Sequence, residues 1–187
     1  MTILFLVRHG RSTANTAGVL AGRAEGVELD EQGRTDARAV GERLAGVAVT
    51  TVVTSPVLRC RQTTDLLLEG AGLDLAPEVD ERLTECDYGS WTNRPLTELA
   101  KEPAWAQIQA TPTSVTLPDG ESMSAMFDRV EAALADWRVR VAAADPHAVW
   151  LMVSHGDPIK ALLAHCLGME RDAFQRLVVD PGSVSAV

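Results

Sequence analysis

The sequence predicts an α/β fold, a largely parallel sheet covered by helices on both faces, and it does so through three observations. Short apolar runs rich in β-formers occur at 3–7 (Ile-Leu-Phe-Leu-Val), 49–53 (Val-Thr-Thr-Val-Val) and 148–153 (Ala-Val-Trp-Leu-Met-Val). Each is too short for a helix and apolar at most consecutive positions, as strands buried on both faces are. Between them lie stretches whose apolar residues return every three or four positions, and an alternation of strand and helix leads to parallel strands joined by crossover helices. A chain of 187 residues that is 46% apolar can bury a sizeable core as one domain, 1–187.

The first run ends at Arg8 and forms the first strand. After Asp30, whose side chain suits a helix N-cap, Ala37, Val40, Gly41 and Leu44 keep helical spacing, with a stop near Gly46. The second run is the next strand, and Ser55-Pro56 leads from it into a helix bearing Arg59. Residues 89–121 interrupt the regularity. Pro95, Pro103, Pro112 and Pro118 limit them to short helical pieces around 95–101 and 103–109, the form of a lid or specificity insertion. After Ser122, a stripe of Met123, Met126, Phe127, Val130, Leu134, Trp137 and Val141 marks a longer helix, its Met and Trp residues reading as core. The third run is a strand. Ile159, Leu162, Leu163, Cys166 and Leu167 then form a last helical stripe, with Pro158 in its first turn and Gly168 at its stop. Residues 183–187 read as the beginning of a further strand, with a few more residues expected beyond them.

The formal charge of −9 argues against nucleic acid as a partner, because such binding needs a basic surface that displaces counterions. Any anion site must be a local gathering of arginines. Cys60, Cys86 and Cys166 are odd in number and widely spaced, so they form no disulfide framework, and a reducing cytoplasm is the expected setting. The N-terminal apolar run is too short for a signal-peptide core or a membrane span.

Ligands of open parallel sheets bind beyond the carboxyl ends of the strands. Arg8-His9-Gly10 follows the first strand, Ser55-Pro56 and then Arg59 follow the second, and Ser154-His155-Gly156 follows the third, so two arginines and two histidines can share one rim. Guanidinium groups give charge-assisted, two-pronged bonds to phosphate oxygens, Arg59 falls in the first turn of a helix, and a neutral imidazole can act as nucleophile. Gly10 and Gly156 would let a ligand approach the backbone closely.

These motifs form an ordered series: Arg8-His9-Gly10-Arg11-Ser12 with Asn15, Ser55-Pro56 with Arg59, Gln62 and Thr63, Glu85 with Tyr88-Gly89 and Trp91, and Ser154-His155-Gly156. The series resembles the histidine phosphatase superfamily, in its phosphoglycerate mutase-like branch, over almost the whole chain. The resemblance implies a three-layer α/β/α fold, His9 as phosphoryl acceptor, Arg8, Arg59 and His155 as phosphate ligands, and Glu85 as proton donor to the leaving oxygen. It also implies that Ser12, Asn15 and the Gly22 backbone line the substrate mouth, with Tyr88 and Gly156 in the same set. It further implies that no metal or organic cofactor is needed, and that the chain forms a homodimer.

The expected reaction is hydrolysis of a small phosphomonoester through a phosphohistidine. The nearest alternative is phosphomutase activity. Mutases of this family hold a substrate carboxylate with extra basic residues, including adjacent arginines, whereas 89–121 offers only Arg94 and Lys101. A non-catalytic phosphate-binding protein on the same fold is the third reading, against which the intact set His9, Arg59, Glu85 and His155 argues. Asp87 and Asp157 rival Glu85 as the acid. Arg11, Arg61 and Arg82 read as surface arginines, and His147 and His165 as structural or surface histidines. No cysteine has an arginine six residues on (the positions hold Leu66, Thr92 and Asp172), which excludes a Cys-type phosphatase loop, and no G-x-x-x-x-G-K-[ST] loop is present.

Overall fold

The computed structural model describes residues 1–187. The three apolar runs form β1 (Ile3–Arg8) and β2 (Val49–Thr54), each one residue longer than its run, and β4 (Val149–Ser154), shifted one residue along from it, and two short strands, β3 (Glu78–Val79) and β5 (Val184–Ala186), complete the sheet. The strand order is β3-β2-β4-β1-β5. All pairings are parallel except that of β5, which runs antiparallel to β1. The prediction of a mostly parallel sheet flanked by helices therefore holds, with one antiparallel edge.

Alternation along the strands builds two cores. Leu4, Leu6, Trp150 and Met152 face a larger cluster with Met126, Phe127 and Val130 of α6 (Met123–Ala144) and Ile159 and Leu162 of α7 (Gly156–Cys166). Val7, Val52, Leu151 and Val153 face the other side, against Val40 and Leu44 of α2 (Glu31–Leu44) and Leu67 and Leu68 of α3 (Leu58–Ala71). The caps follow the sequence. Asp30 accepts from Gly33 N–H at 2.7 Å, and Ser122 accepts from Ala125 N–H at 3.1 Å, each satisfying a donor the helix leaves open. Before α2 lies the single-turn α1 (Thr13–Ala17), opened by a capping box between Ser12 and Asn15. The stretch 89–121 carries α4 (Leu96–Leu99) and α5 (Pro103–Ala110), close to the short pieces its prolines permit.

Candidate active site

Parallel register brings the carboxyl ends of three strands level: Arg8 pairs with Ser154, and Thr54 with Val153. His9 N–H donates to the Ser154 carbonyl and Ser55 N–H to that of Val153, both at 3.0 Å, so the residues just past the strands stay in contact. The rings of His9 and His155 meet edge to face, with centroids 5.2 Å apart. Arg59, in the first turn of α3, reaches between them.

Hydrogen-bond partners settle the tautomers. His9 Nδ1 lies 2.8 Å from the Gly10 carbonyl, which can only accept, so Nδ1 carries the proton and Nε2 the lone pair. Arg59 Nε donates to that Nε2 at 3.1 Å. Arg59 Nη2 donates to the Gly22 carbonyl at 2.8 Å and faces His155 Nδ1 at 3.0 Å, so His155 carries its proton on Nε2, 2.9 Å from Ser55 Oγ. Burial, with Arg59 next among the causes, holds both imidazoles well below their ordinary pKa, leaving them neutral. Arg8 donates from Nη1 to the Val179 carbonyl at 2.6 Å. The two guanidiniums are thus held by carbonyls and imidazoles rather than by carboxylates. Arg8 Nε and Arg59 Nη1 are buried with no partner at all. Burial also pushes the Cys60 thiol, 3.4 Å from His155 Nε2, up to about 12, so it is no thiolate nucleophile.

Glu85 is 7% exposed, and burial, reinforced by the negative charge of Asp157, raises its carboxyl to about 7. Its loop is clamped from behind. Arg129 of α6 donates to the carbonyls of Arg82, Thr84 and Glu85 at 2.6, 2.8 and 3.0 Å while pairing with Glu121 at 2.7 Å, and Arg23 donates to the Glu85 carbonyl at 2.9 Å. The acid is therefore carried on a braced segment although it lies outside the strands.

A cavity of about 270 Å³ is lined by Arg8, His9, Ser12, Asn15, Gly22, Arg59, Glu85, Tyr88 and Gly156, among others. His155, fully buried, lies behind its surface. Gly156 leaves the face of Arg8 open, since a β-carbon there would sit 3.4 Å from Arg8 Cζ. Gly10 answers a different need from the one its sequence position implied. Its missing side chain makes room for the Gly33 carbonyl at the start of α2, 2.6 Å from where a β-carbon would stand. Gln62 and Thr63 brace the loops, accepting from Leu29 N–H at 2.9 Å and Gly10 N–H at 3.0 Å. Arg11 pairs with Asp30 and Arg82 with Asp80, while Arg61, His147 and His165 are exposed. Asp87 caps Gly89 N–H, whereas Asp157 does line the cavity and accepts from Tyr88 Oη at 2.8 Å.

The Histidine phosphatase superfamily (branch 1) profile matches residues 4–187. The chain belongs to this superfamily. A relative named Probable phosphoglycerate mutase GpmB, from Citrobacter koseri, is 33% identical over all of this chain and 85% of its own length. Among solved structures, the Alpha-ribazole Phosphatase from Shigella flexneri is 27% identical with a TM-score of 0.82, covering 98% of this chain and 89% of its own. A mycobacterial glucosyl-3-phosphoglycerate phosphatase complexed with VO3 is 26% identical with a TM-score of 0.87, covering 98% and 91%. The chain is thus an enzyme of the phosphatase or phosphomutase type whose substrate is a small phosphorylated compound. No helix is long and apolar enough to cross a membrane.

Sequence reasoning did not single out Leu20, Trp105 and Lys160 as cavity residues, and it held Asp157 only as a rival acid. The first three sit on a loop or on helices where an apolar or charged residue is unremarkable, and only the packing of 89–121 over the strand ends reveals them.

Proposed function

We propose that the chain is a phosphatase that hydrolyses a small phosphomonoester through a phosphohistidine at His9. His9 Nε2 attacks phosphorus, the bond to the ester oxygen breaks, and Glu85 gives that oxygen its proton as the alcohol leaves. The Glu85 carboxylate then takes a proton from water, which attacks the phosphohistidine, releases inorganic phosphate and restores both side chains. Arg8 and Arg59 hold the equatorial oxygens, on which charge is concentrated during transfer, and His155, the third phosphate ligand the resemblance implies, steadies Arg59 from behind by accepting from its Nη2. Ser12, Asn15, Gly22, Tyr88 and Gly156 line the path of the substrate, and residues 89–121 of this single domain serve as the specificity insertion.

The observation that carries this reading is the pair of guanidiniums without carboxylate partners, each with a buried unsatisfied N–H, beside a neutral imidazole. Buried cations and donors are costly unless an anion with several acceptor oxygens completes them. Hydrolysis is favoured over mutase action because Arg94 is paired with Glu102 at 2.8 Å, and neither Arg94 nor Lys101 lines the cavity. Rapid quenching without acid, followed by mass spectrometry, should find phosphate on His9, and His9→Ala should abolish release of inorganic phosphate. Phosphate on another residue would sink the assignment. Isomerisation of a phosphorylated acid without phosphate release would make the chain a mutase.

A further inference from the structure

The part of the cavity beyond the phosphate cluster divides into an open apolar wall and a charged set, Asp157 and Lys160 with Tyr88 and Gln175, whose members bond to one another, with Gln109 as a neutral polar group at its edge. The wall is built by two loops zipped along their backbones. Asn93 N–H donates to the Leu20 carbonyl at 2.7 Å, Leu20 N–H to that of Arg94 at 3.0 Å, and Leu96 N–H to that of Gly18 at 2.9 Å. Leu20 and Leu96 are thereby set in place before any ligand arrives. Helix α5 adds Trp105 and Ile108, and the Trp105 ring leans on that of Trp91 with centroids 6.2 Å apart. Leu96 remains 38% exposed, with Leu20 and Trp105 half-buried, so apolar surface at the cavity still faces water.

Lys160 is the single cation lining the cavity besides Arg8 and Arg59. Its ammonium donates to Gln175 Oε1 at 2.9 Å and lies 3.8 Å from Asp157 Oδ1 and 5.9 Å from the Phe174 ring centroid. Asp157 in turn accepts from Tyr88 Oη. A carboxylate on the leaving alcohol would meet Lys160 only in competition with Asp157 and Gln175. An apolar body would cover the wall and release its water.

We infer that the substrate is the phosphate ester of an uncharged apolar or aromatic alcohol, whose body packs on Leu20, Leu96, Trp105 and Ile108. This rests on the reading of the chain as a His9-dependent phosphatase. The test compares kcat/KM for 2-phenylethyl phosphate, glycerol 3-phosphate and 3-phosphoglycerate, whose leaving groups are all alkoxides. Phenylethyl phosphate should lead both others by about ten- to a hundredfold, the worth of burying most of one aromatic ring. Trp105→Ala should shrink that lead about tenfold, chiefly through KM. Leu96→Asn, at an exposed position that cannot unfold the core, should shrink it in the same sense. Phosphohistidine formation with a preference for glycerol 3-phosphate or 3-phosphoglycerate, or a lead unchanged in both variants, overturns this inference alone. Absence of turnover and of phosphohistidine with every substrate overturns the phosphatase reading and this inference with it.

Discussion

Glu85 is a carboxylic acid held near neutrality, at about 7, by burial and by Asp157, against the opposing pull of Arg59 and Arg8. An alkoxide needs a proton as it leaves, whereas p-nitrophenolate does not. Glu85→Gln should therefore cost about 10²- to 10⁴-fold on alkyl phosphates and clearly less on p-nitrophenyl phosphate; equal losses would deny Glu85 the acid's role. Asp157→Asn removes a negative neighbour, so the Glu85 carboxyl ionises more readily. The alkaline limb of kcat/KM for an alkyl phosphate should then move to lower pH, and an unmoved limb would separate the two groups. Arg59→Lys keeps the charge but has a single nitrogen with which to replace Nε to His9, Nη2 to Gly22 and the unpaired Nη1. A fall in kcat/KM of at least about a hundredfold is expected, and an unchanged value would put Arg59 outside the phosphate contacts. His9, Arg59 and His155 were legible in the sequence because each follows a strand run at a fixed, short distance. Glu85 was legible only through resemblance, since the loop that carries it is braced by Arg129 from a helix 44 residues further on.

At the scale of elements, the most intimate packing is that of α2 on α3. A β-carbon on Gly41 would overlap the Leu67 carbonyl, and one on Gly70 would overlap that of Arg38, so the two helices touch backbone to backbone. Gly41→Ala should raise the intrinsic helix propensity of α2 by about 1 kcal/mol and still lower the urea midpoint, because overpacking against a rigid backbone costs about 1–3 kcal/mol or more. A raised midpoint would mean that the helices part without penalty. The sequence shows Gly41 on the apolar stripe but not what lies across from it, because close approach is a property of two helices. The main strands and the helices at 31–44, 123–144 and 156–166 were readable for the opposite reason: their periodicity and caps are local. β3 is two residues long and carries no period to detect, and its pairing with β2 is decided by where α3 delivers the chain.

For the whole molecule, the same buried groups tie stability to pH and to ligand. Glu85 has its carboxyl raised from 4.5 to about 7, so its contribution to stability is present below 4.5 and is lost as pH rises through 7. Glu85→Gln keeps a neutral side chain at every pH. Chemical denaturation should find the variant gaining on the parent protein between pH 5 and pH 8, by on the order of 3 kcal/mol, and a constant difference would mean that Glu85 is charged in the folded state. Inorganic phosphate should raise Tm through the unfilled donors of Arg8 and Arg59, by the equivalent of about 2.7 kcal/mol at a hundred times its Kd. The placement of β1 carries a further consequence. It is flanked by β4 and β5, and Arg8 at its end is anchored on Val179, 171 residues along the chain. A ribosome releases β1 well before either of its neighbours, so until β4 follows β1 is an unpaired apolar ribbon. The anchor of Arg8 on Val179 cannot form until the emerging chain has come back to the first strand, so of the three main strands β1 waits longest for both of its neighbours.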